Sequence, residues 1–429
     1  MDQFWKWYQD QVERNSSTVE EIPFSQLAKW YVDQATGDLC HVSGRFFSII
    51  GVRFTVEVDE LTQQWEQPMV NQPEFGVLGL LSKQKDGERY FLMQARMEPG
   101  NINVIQLSPT VQATTSNFTR VHAGKKTDYL DYFIEAQASH ILVDSLQAEQ
   151  GGRFYQKRNR NIVVEVDEDI EVKEHYCWVP ERKIGTLLWK DNLVNMNNRS
   201  VLACYLSAGV TSESIGLNSI ERVISWLTQA RVRTKSKRER IPLKDVSNWK
   251  MENCQIRHVT RNYFSVVAIK VTSKNREISE WTQPILKESK PGFVGFLIKK
   301  FEGIDHYLVR AKIEPGNIDT IAIGPTVQYS YENIDQDDRF IPLFSNAKLG
   351  EIRYKARLSE EGGRFYHNQN DYMAVEIDED IEVPATHLWV SYPQMLQLIR
   401  YSLLNIEART IVAGVNVGLH TVKHNPWPH

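Results

Sequence analysis

The sequence lacks most of the features that announce a familiar chemistry. Its 429 residues hold only four cysteines, Cys40, Cys177, Cys204 and Cys254, scattered without a CxxC or a framework spacing. Such a pattern reads as reduced thiols in a cytoplasmic chain. No apolar run approaches the roughly 18 residues that a membrane-spanning helix requires, so no membrane span is expected. The opening stretch MDQFWKWYQDQVERN is amphipathic and contains acids, unlike a signal peptide. Net charge is −4, which supplies no global basic field for nucleic acid or anionic lipid. GxGxxG, the P-loop, GxSxG and HExxH are all missing.

What is present is a globular composition with a large internal repeat. Hydrophobic residues make up 41% and charged residues 24%, ordinary values for a folded protein. Eleven Trp, 17 Tyr and 17 Phe provide core material and some surfaces fit to stack on a planar ligand. EPGNI begins at 98 and again at 314, an offset of 216; WEQPMV (65–70) answers WTQPIL (281–286) at the same offset. GGRFY begins at 151 and at 362, an offset of 211, so the second copy is five residues shorter in between. VEVDEDIEV (164–172) and VEIDEDIEV (375–383) agree in eight of nine positions. Two units of about 200 residues follow, 1–230 and 231–429, each long enough to bury a core.

Within each unit, strand-like runs outnumber helical ones, which makes an α+β fold in tandem duplication the expectation. Residues 2–14 and 25–35 read as short helices, with Phe4, Trp5 and Tyr8, then Leu27, Trp30 and Tyr31, at helical spacing. Residues 46–58 and 75–83 read as strands. Pro99 and Gly100 sit where a type II turn wants them, between two strand-like runs. Residues 128–149 look helical, and 181–231 carry at least two helices. The run Arg231 to Arg240 has six basic residues and one acid, and reads as a solvated linker or helix end at the unit boundary.

Several segments carry candidate chemistry beside a structural reading. The acidic DED at 167–169 and 378–380 is expected to end a strand, since no further ligand completes an octahedral metal set. Glu98 and Glu314 either decorate hairpin turns or point into a pocket. Trp65 and Trp281 are core residues or stacking walls, with Gln67 and Gln283 placed to read a base edge. In GGRFY, the glycines permit close approach of backbone to a ligand, and Arg153 or Arg364 can grip phosphate. The stretch 116–133, SNFTRVHAGKKTDYLDYF, has no counterpart in the second copy. It gathers Asn117, Arg120, His122, Lys125, Lys126, Tyr129 and Tyr132, and His122 is its natural proton carrier.

EPGNINVIQLSPTVQATTSNFTRVHAGKKTDYLDYF, followed by EQGGRFYQKRNRNIVVEV, resembles the NDP-hexose 2,3-dehydratase family. GPTVQ and SEEGGRFYHNQNDYMAVE in the second half belong to the same pattern, so the resemblance spans nearly the whole chain. It implies loss of the 2-hydroxyl and the C3 hydrogen, as water, from a nucleotide-linked 4-keto-6-deoxyhexose, typically a dTDP sugar. The product is a 3,4-diketo-2,6-dideoxy sugar of deoxysugar biosynthesis, taken onward by a ketoreductase. A homodimer of paired Nudix-like domains in a bacterial cytoplasm is also implied. The Nudix box of glycines and glutamates is lacking, so metal-dependent diphosphate hydrolysis is not.

The chemistry itself asks for a base at C3, donors at the C4 oxygen and an acid at the C2 oxygen, with no cofactor. Side-chain chemistry assigns proton transfer to His122 with Glu98 as rival base, and ketone donation to Tyr129 or Tyr132. Arg120, Lys125 and Arg153 are assigned to the diphosphate and Trp65 with Gln67 to thymine. Gln112, Asn117 and Tyr155 complete the substrate-binding set. The second copy keeps Trp281, Gln283, Glu314, Gln328, Arg364 and Tyr366, but YSYENIDQDDRFIPLFSNAK (329–348) replaces the insert. One catalytic site in the first unit and a vestigial or regulatory nucleotide site in the second are therefore expected. A non-catalytic sugar-nucleotide sensor and an epimerase on the same keto sugar are the competing functions.

Overall fold

A computed structural model describes residues 2–114, 127–167, 169–210, 215–260, 263–273, 279–331 and 338–417. Strands dominate and helices are few, arranged as two large and two small sheets. In the first large sheet the order is Ile141–Ala148, Arg158–Glu165, Gly76–Lys85, Glu88–Met97 and Tyr176–Pro180. Ile105–Ser108 and Val111–Ala113 attach to its middle strands. The second large sheet repeats this plan with Ile352–Ser359, Gln369–Glu376, Gly292–Phe301, Ile304–Ile313 and His387–Ser391. Each contains one parallel pair, Arg158–Glu165 on Gly76–Lys85 and Gln369–Glu376 on Gly292–Phe301. Gly76–Lys85 and Gly292–Phe301 open with continuous apolar runs, GVLGLL and GFVGFLI, as strands covered on two faces do, whereas their partners Arg158–Glu165 and Gln369–Glu376 are apolar only in their second halves.

The small sheets exchange strands between the halves. Thr18–Ile22, ahead of the first repeat, pairs with Phe264–Thr272 in the second, with Thr18 opposite Thr272. Thr234–Ile241, which opens the second half, pairs with Ser48–Val58 in the first, Thr234 opposite Val58. The basic run is therefore a strand from Thr234, and only its first residues end the helix Ile220–Arg233. Its charges are matched on the sheet: Lys235 meets Glu57 at 2.8 Å, Arg240 meets Asp38 at 2.8 Å, and Arg238 donates to the carbonyls of Asn317 and Ile318.

Helices Met196–Leu206 and Ile406–Asn416 pack on each other in a core that both halves share. Both are buried on nearly every side, so they carry no amphipathic stripe. Each holds one fully buried arginine that reaches across the duplication. Arg199 donates to Ser359 O at 2.8 Å, and Arg409 donates to Ala148 O at 2.9 Å and Leu404 O at 2.8 Å. Carbonyl oxygens accept from the terminal nitrogens of both guanidiniums, and the Ser200 hydroxyl accepts from Arg409 Nε at 3.2 Å, which makes their burial tolerable.

The two repeated turns lock together across the halves. Gly100 N donates to Gly362 O and His367 N to Gly100 O, both at 2.7 Å. The mirror pair runs from Gly316 N to Gly151 O at 2.8 Å and from Gln156 N to Gly316 O at 2.7 Å. Each EPGN turn thus docks on the GGRFY turn of the other half. The contact explains the glycine at position 100, where a Cβ would stand 1.7 Å from Phe365 O.

Several expected elements differ. The EPGN segment does join antiparallel strands, Glu88–Met97 and Ile105–Ser108, but Gly100 is not among the positive-φ residues, so its turn is not type II. Left-handed backbone falls instead on Val104 at φ 62° and its counterpart Thr320 at φ 60°. Residues 25–35 are not a helix: Phe24–Gln26 forms a single 3-10 turn and Trp30–Val32 a strand. Ala28 N and Trp30 Nε1 are held by the Thr282 hydroxyl and carbonyl of the second half. Residues 128–149 hold a short helix, Asp131–Ile134, and a single 3-10 turn, Ala138–His140, before the strand Ile141–Ala148. In that strand Ser145 and Gln147 face inward and donate to Arg400 O and Ile399 O, so polar residues occupy the core face and obscure its period of two.

Candidate active site

Glu98 follows directly on the strand Glu88–Met97, and the residue is 3% exposed. Gln112 donates to Oε1 at 2.6 Å, while Asn101 and Asn195 donate to Oε2 at 3.3 Å each. Asn195 is also the N-cap of the buried helix Met196–Leu206, so one side chain joins helix start and carboxylate. The nearest cation is Arg96, whose Nε lies 3.8 Å from Oε1. Glu98 is thus a buried carboxylate held by neutral amides and incompletely neutralised.

Glu98 lines a cavity of about 260 Å³ to which both halves contribute. The first half supplies Gln72, Arg96, Gln112, Glu149, Lys157 and Asn159; the second supplies Trp281, Gln283, Glu361, Gly363 and Arg364. Gln283 receives the Trp281 indole N–H at 3.0 Å and donates to Gly363 O at 2.8 Å, fixing the indole against the glycine turn. Arg364 stacks on Phe47, 3.9 Å from the ring centroid, and donates to Gly363 O at 2.8 Å and to the Gln72 amide oxygen at 3.2 Å. Burial pulls the Lys157 amine down to about 8, against the opposing pull of Glu149 and Glu74. Burial, then the neighbouring Glu98 charge, pushes Glu361 up to about 7. A depressed amine and a raised carboxyl beside a buried carboxylate are groups able to exchange protons near neutral pH.

The related arrangement around Glu314 differs in charge. Lys312 contacts Glu314 at 2.8 Å, and Asn317 and Asn405 donate at 2.7 Å. Burial would raise Glu314, yet Lys312, Asn405 and the Gly151 backbone hold it below the usual carboxylate range. The GGRFY turn facing it is the first-half one, where Arg153 pairs with Glu288 at 2.8 Å and stacks on Phe264 at 4.1 Å. Position 288 corresponds to Gln72, so Arg153 is neutralised by a carboxylate where Arg364 meets an amide.

The fold therefore regroups the candidate residues. Trp281, Gln283 and Arg364, assigned from sequence to a second site, line the cavity with Glu98 and Gln112. Trp65, Gln67 and Arg153 stand on the Glu314 side with Gln328, which accepts from Asn405 at 3.0 Å. Gln67 repeats the clamp, accepting from Trp65 Nε1 at 3.2 Å and donating to Gly152 O at 2.8 Å. Tyr155 packs beside Trp65 against Phe54 and Met69, and Tyr366 packs in the cluster that includes Trp281. Tyr129 and Tyr132 are not cavity residues; the Tyr129 hydroxyl donates to Glu171 O at 2.7 Å and accepts from Lys173 N at 2.9 Å. Asn117, Arg120, His122, Lys125 and Lys126 lie outside the described residues. Thr114, three positions before Asn117, lines the cavity.

Glu361 and Lys157 were missed by the sequence reading. Their signal was present as differences between otherwise matching copies: EQGGRFYQK (149–157) against EEGGRFYHN (360–368). Gln150 stands where the second copy has Glu361, and Asn368 where the first has Lys157.

The fold and site define a duplicated, mostly β protein whose two halves build one cavity of ionisable groups, cations and an indole wall. The chain belongs to the NDP-hexose 2,3-dehydratase family, whose model matches residues 1–205 and 220–415. It is 41% identical to a dTDP-4-dehydro-6-deoxy-alpha-D-glucopyranose 2,3-dehydratase of Amycolatopsis orientalis, over 96% of this chain and 89% of that protein. Proteins of the same name from Saccharopolyspora spinosa and Streptomyces violaceoruber are 39% and 40% identical, over 96% of this chain and 91% and 96% of theirs. No helix among the described residues is long and apolar enough to cross a membrane.

Proposed function

We propose that the protein removes water across C2 and C3 of dTDP-4-keto-6-deoxy-D-glucose, giving a dTDP-3,4-diketo-2,6-dideoxyhexose. The observation that carries the reading is Glu98, a buried carboxylate clamped by three amides inside a cavity with Arg364 and Lys157. The C3 hydrogen is acidic because it lies α to the C4 ketone, and Glu98 is the base that takes it. Arg364 and Lys157 attract the diphosphate, and the Trp281 face receives the thymine. The names of the relatives support the same substrate.

His122 is the alternative carrier of the C3 proton, with Arg120, Lys125 and Asn117 of the same stretch added to the diphosphate and sugar contacts. Tyr129 and Tyr132 stay as ketone donors only under a rearrangement that brings them to the cavity. The division into repeats 1–230 and 231–429 belongs to this proposal. Catalysis goes to the cavity at Glu98, and the arrangement at Glu314, with Trp65, Gln67, Arg153 and Gln328, is vestigial or regulatory. So do descent from a Nudix-like unit, a cytoplasmic bacterial homodimer and a ketoreductase that consumes the product.

The test is incubation with dTDP-4-keto-6-deoxyglucose in D₂O, followed by mass spectrometry with and without a 3-ketoreductase. Loss of one water, trapped as a reduced 2,6-dideoxy sugar, is expected. Intact sugar carrying deuterium would replace the dehydratase by an epimerase, and intact unlabelled sugar with dTDP bound would replace it by a sensor.

A further inference from the structure

We infer that Glu361, supplied by the second half of the chain, is the acid that protonates the departing C2 hydroxyl while Glu98 of the first half serves as base. This deepens the dehydratase reading and rests on it. Both side chains line one cavity, and the turns that carry them are bonded to each other through Gly100 N and Gly362 O at 2.7 Å. A Cβ built on Gly362, next to Glu361, would lie 2.8 Å from the Glu98 Cβ. Gly363 N donates to Glu361 Oε1 at 3.1 Å, which orients the carboxyl. The charged groups facing it are Glu98, Glu149, Arg364 and Lys157. Two carboxylates in such proximity do not both ionise readily, so one is kept as the acid. Glu361 has the raised value, about 7.

A second observation separates this position from mere architecture. The two halves carry the same EPGN and GGRFY turns, yet the residue before Gly151 is Gln150, which donates to Glu360 Oε2 at 2.6 Å. An acid stands at this position only on the side where the cation nearest the buried carboxylate is 3.8 Å away, Arg96 from Glu98, against 2.8 Å for Lys312 from Glu314. The electron count closes without a co-reactant. Glu98 takes the C3 proton, and the C3–H electrons form the C3=C4 enolate. The enolate collapses to restore the C4 ketone and forms C2=C3 as the C2–O bond breaks. The leaving hydroxide takes the Glu361 proton and departs as water, and the resulting 3-enol tautomerises to the diketone.

The experiment compares wild type and Glu361→Gln in D₂O, measuring deuterium entry at C3 and water loss on the same sample. Gln is the residue that the related turn already carries, so the variant is expected to fold, checked by circular dichroism. The expected result is dehydration reduced about 100-fold or more, the scale of a general acid, with C3 exchange retained. Dehydration at the wild-type rate, or loss of exchange together with dehydration, overturns the assignment. The wild-type rate against pH is an arm that needs no variant. It should fall on the alkaline side while exchange persists, and a flat rate overturns the inference. A wild type that neither exchanges nor dehydrates refutes the dehydratase reading itself.

Discussion

Replacing Gly100 by Ala tests the joint on which the cavity depends. The added Cβ would lie 1.7 Å from Phe365 O and 2.6 Å from Gly362 O, both backbone atoms that no side-chain rotation can move. The turns must separate by about 1.5 Å to restore ordinary carbon–oxygen contact. That breaks the bonds from Gly100 N to Gly362 O and from His367 N to Gly100 O. Each buried group left unpaired costs about 1–3 kcal/mol. Alanine returns about 0.4–1 kcal/mol by restricting the unfolded chain. Counting one such cost for each of the two broken bonds, less the alanine gain, the net expectation is a loss of about 1–5.6 kcal/mol in urea unfolding followed by tryptophan fluorescence, with Glu98 and Glu361 pulled apart and kcat reduced. Gly152→Ala is the control, since a Cβ there meets nothing within 4 Å. Gly316→Ala, whose Cβ would stand 2.2 Å from Gly151 O, should destabilise comparably while sparing the Glu98 cavity. If Gly100→Ala unfolds at the same urea concentration as Gly152→Ala, the cross-half joint is not what holds these turns.

Trp281→Ala should raise KM for the dTDP sugar roughly 5- to 150-fold, the loss of about 1–3 kcal/mol of base stacking, whereas Trp65→Ala leaves KM near wild type in the same assay. Arg409→Met should destabilise the chain by about 2–6 kcal/mol in urea titrations, because its two carbonyl partners stay buried without their donor, at about 1–3 kcal/mol each. Folded Lys157 holds fewer protons than the unfolded chain between about 8 and its ordinary 10.5. Its contribution therefore makes stability rise with pH across that window, and Lys157→Met should remove that part of the slope in urea midpoints measured from pH 8 to 10.

Much of this protein was legible before any coordinates. Offsets of 216 and 211 between matching motifs expose a duplication, but the differences at positions 150, 157, 361 and 368 gained meaning only once the fold set Glu361 and Lys157 around the cavity with Glu98. Strands rich in β-branched and aromatic residues, such as Ser48–Val58, follow their own pattern. Ile141–Ala148 did not, because Ser145 and Gln147 fill its inward face to bond carbonyls more than 250 positions away in the chain. Phe24–Val32 did not, because Thr282 decides its backbone.

The sequence by itself determined that there are two copies of a mostly β unit, what each copy carries, and the family to which the chain belongs. Tertiary structure alone decided which copy faces which. EPGN meets GGRFY in both possible pairings with the same local residues, so no local pattern distinguishes a contact within one half from a contact across halves. The close approach of Gly100 to Phe365 and of Gly316 to Gly151, together with the exchanged strands Thr18–Ile22 and Thr234–Ile241, selects the crossed pairing. That choice puts Glu98 beside Trp281, Arg364 and Glu361, residues 183 to 266 positions further along the chain (281 − 98 and 364 − 98).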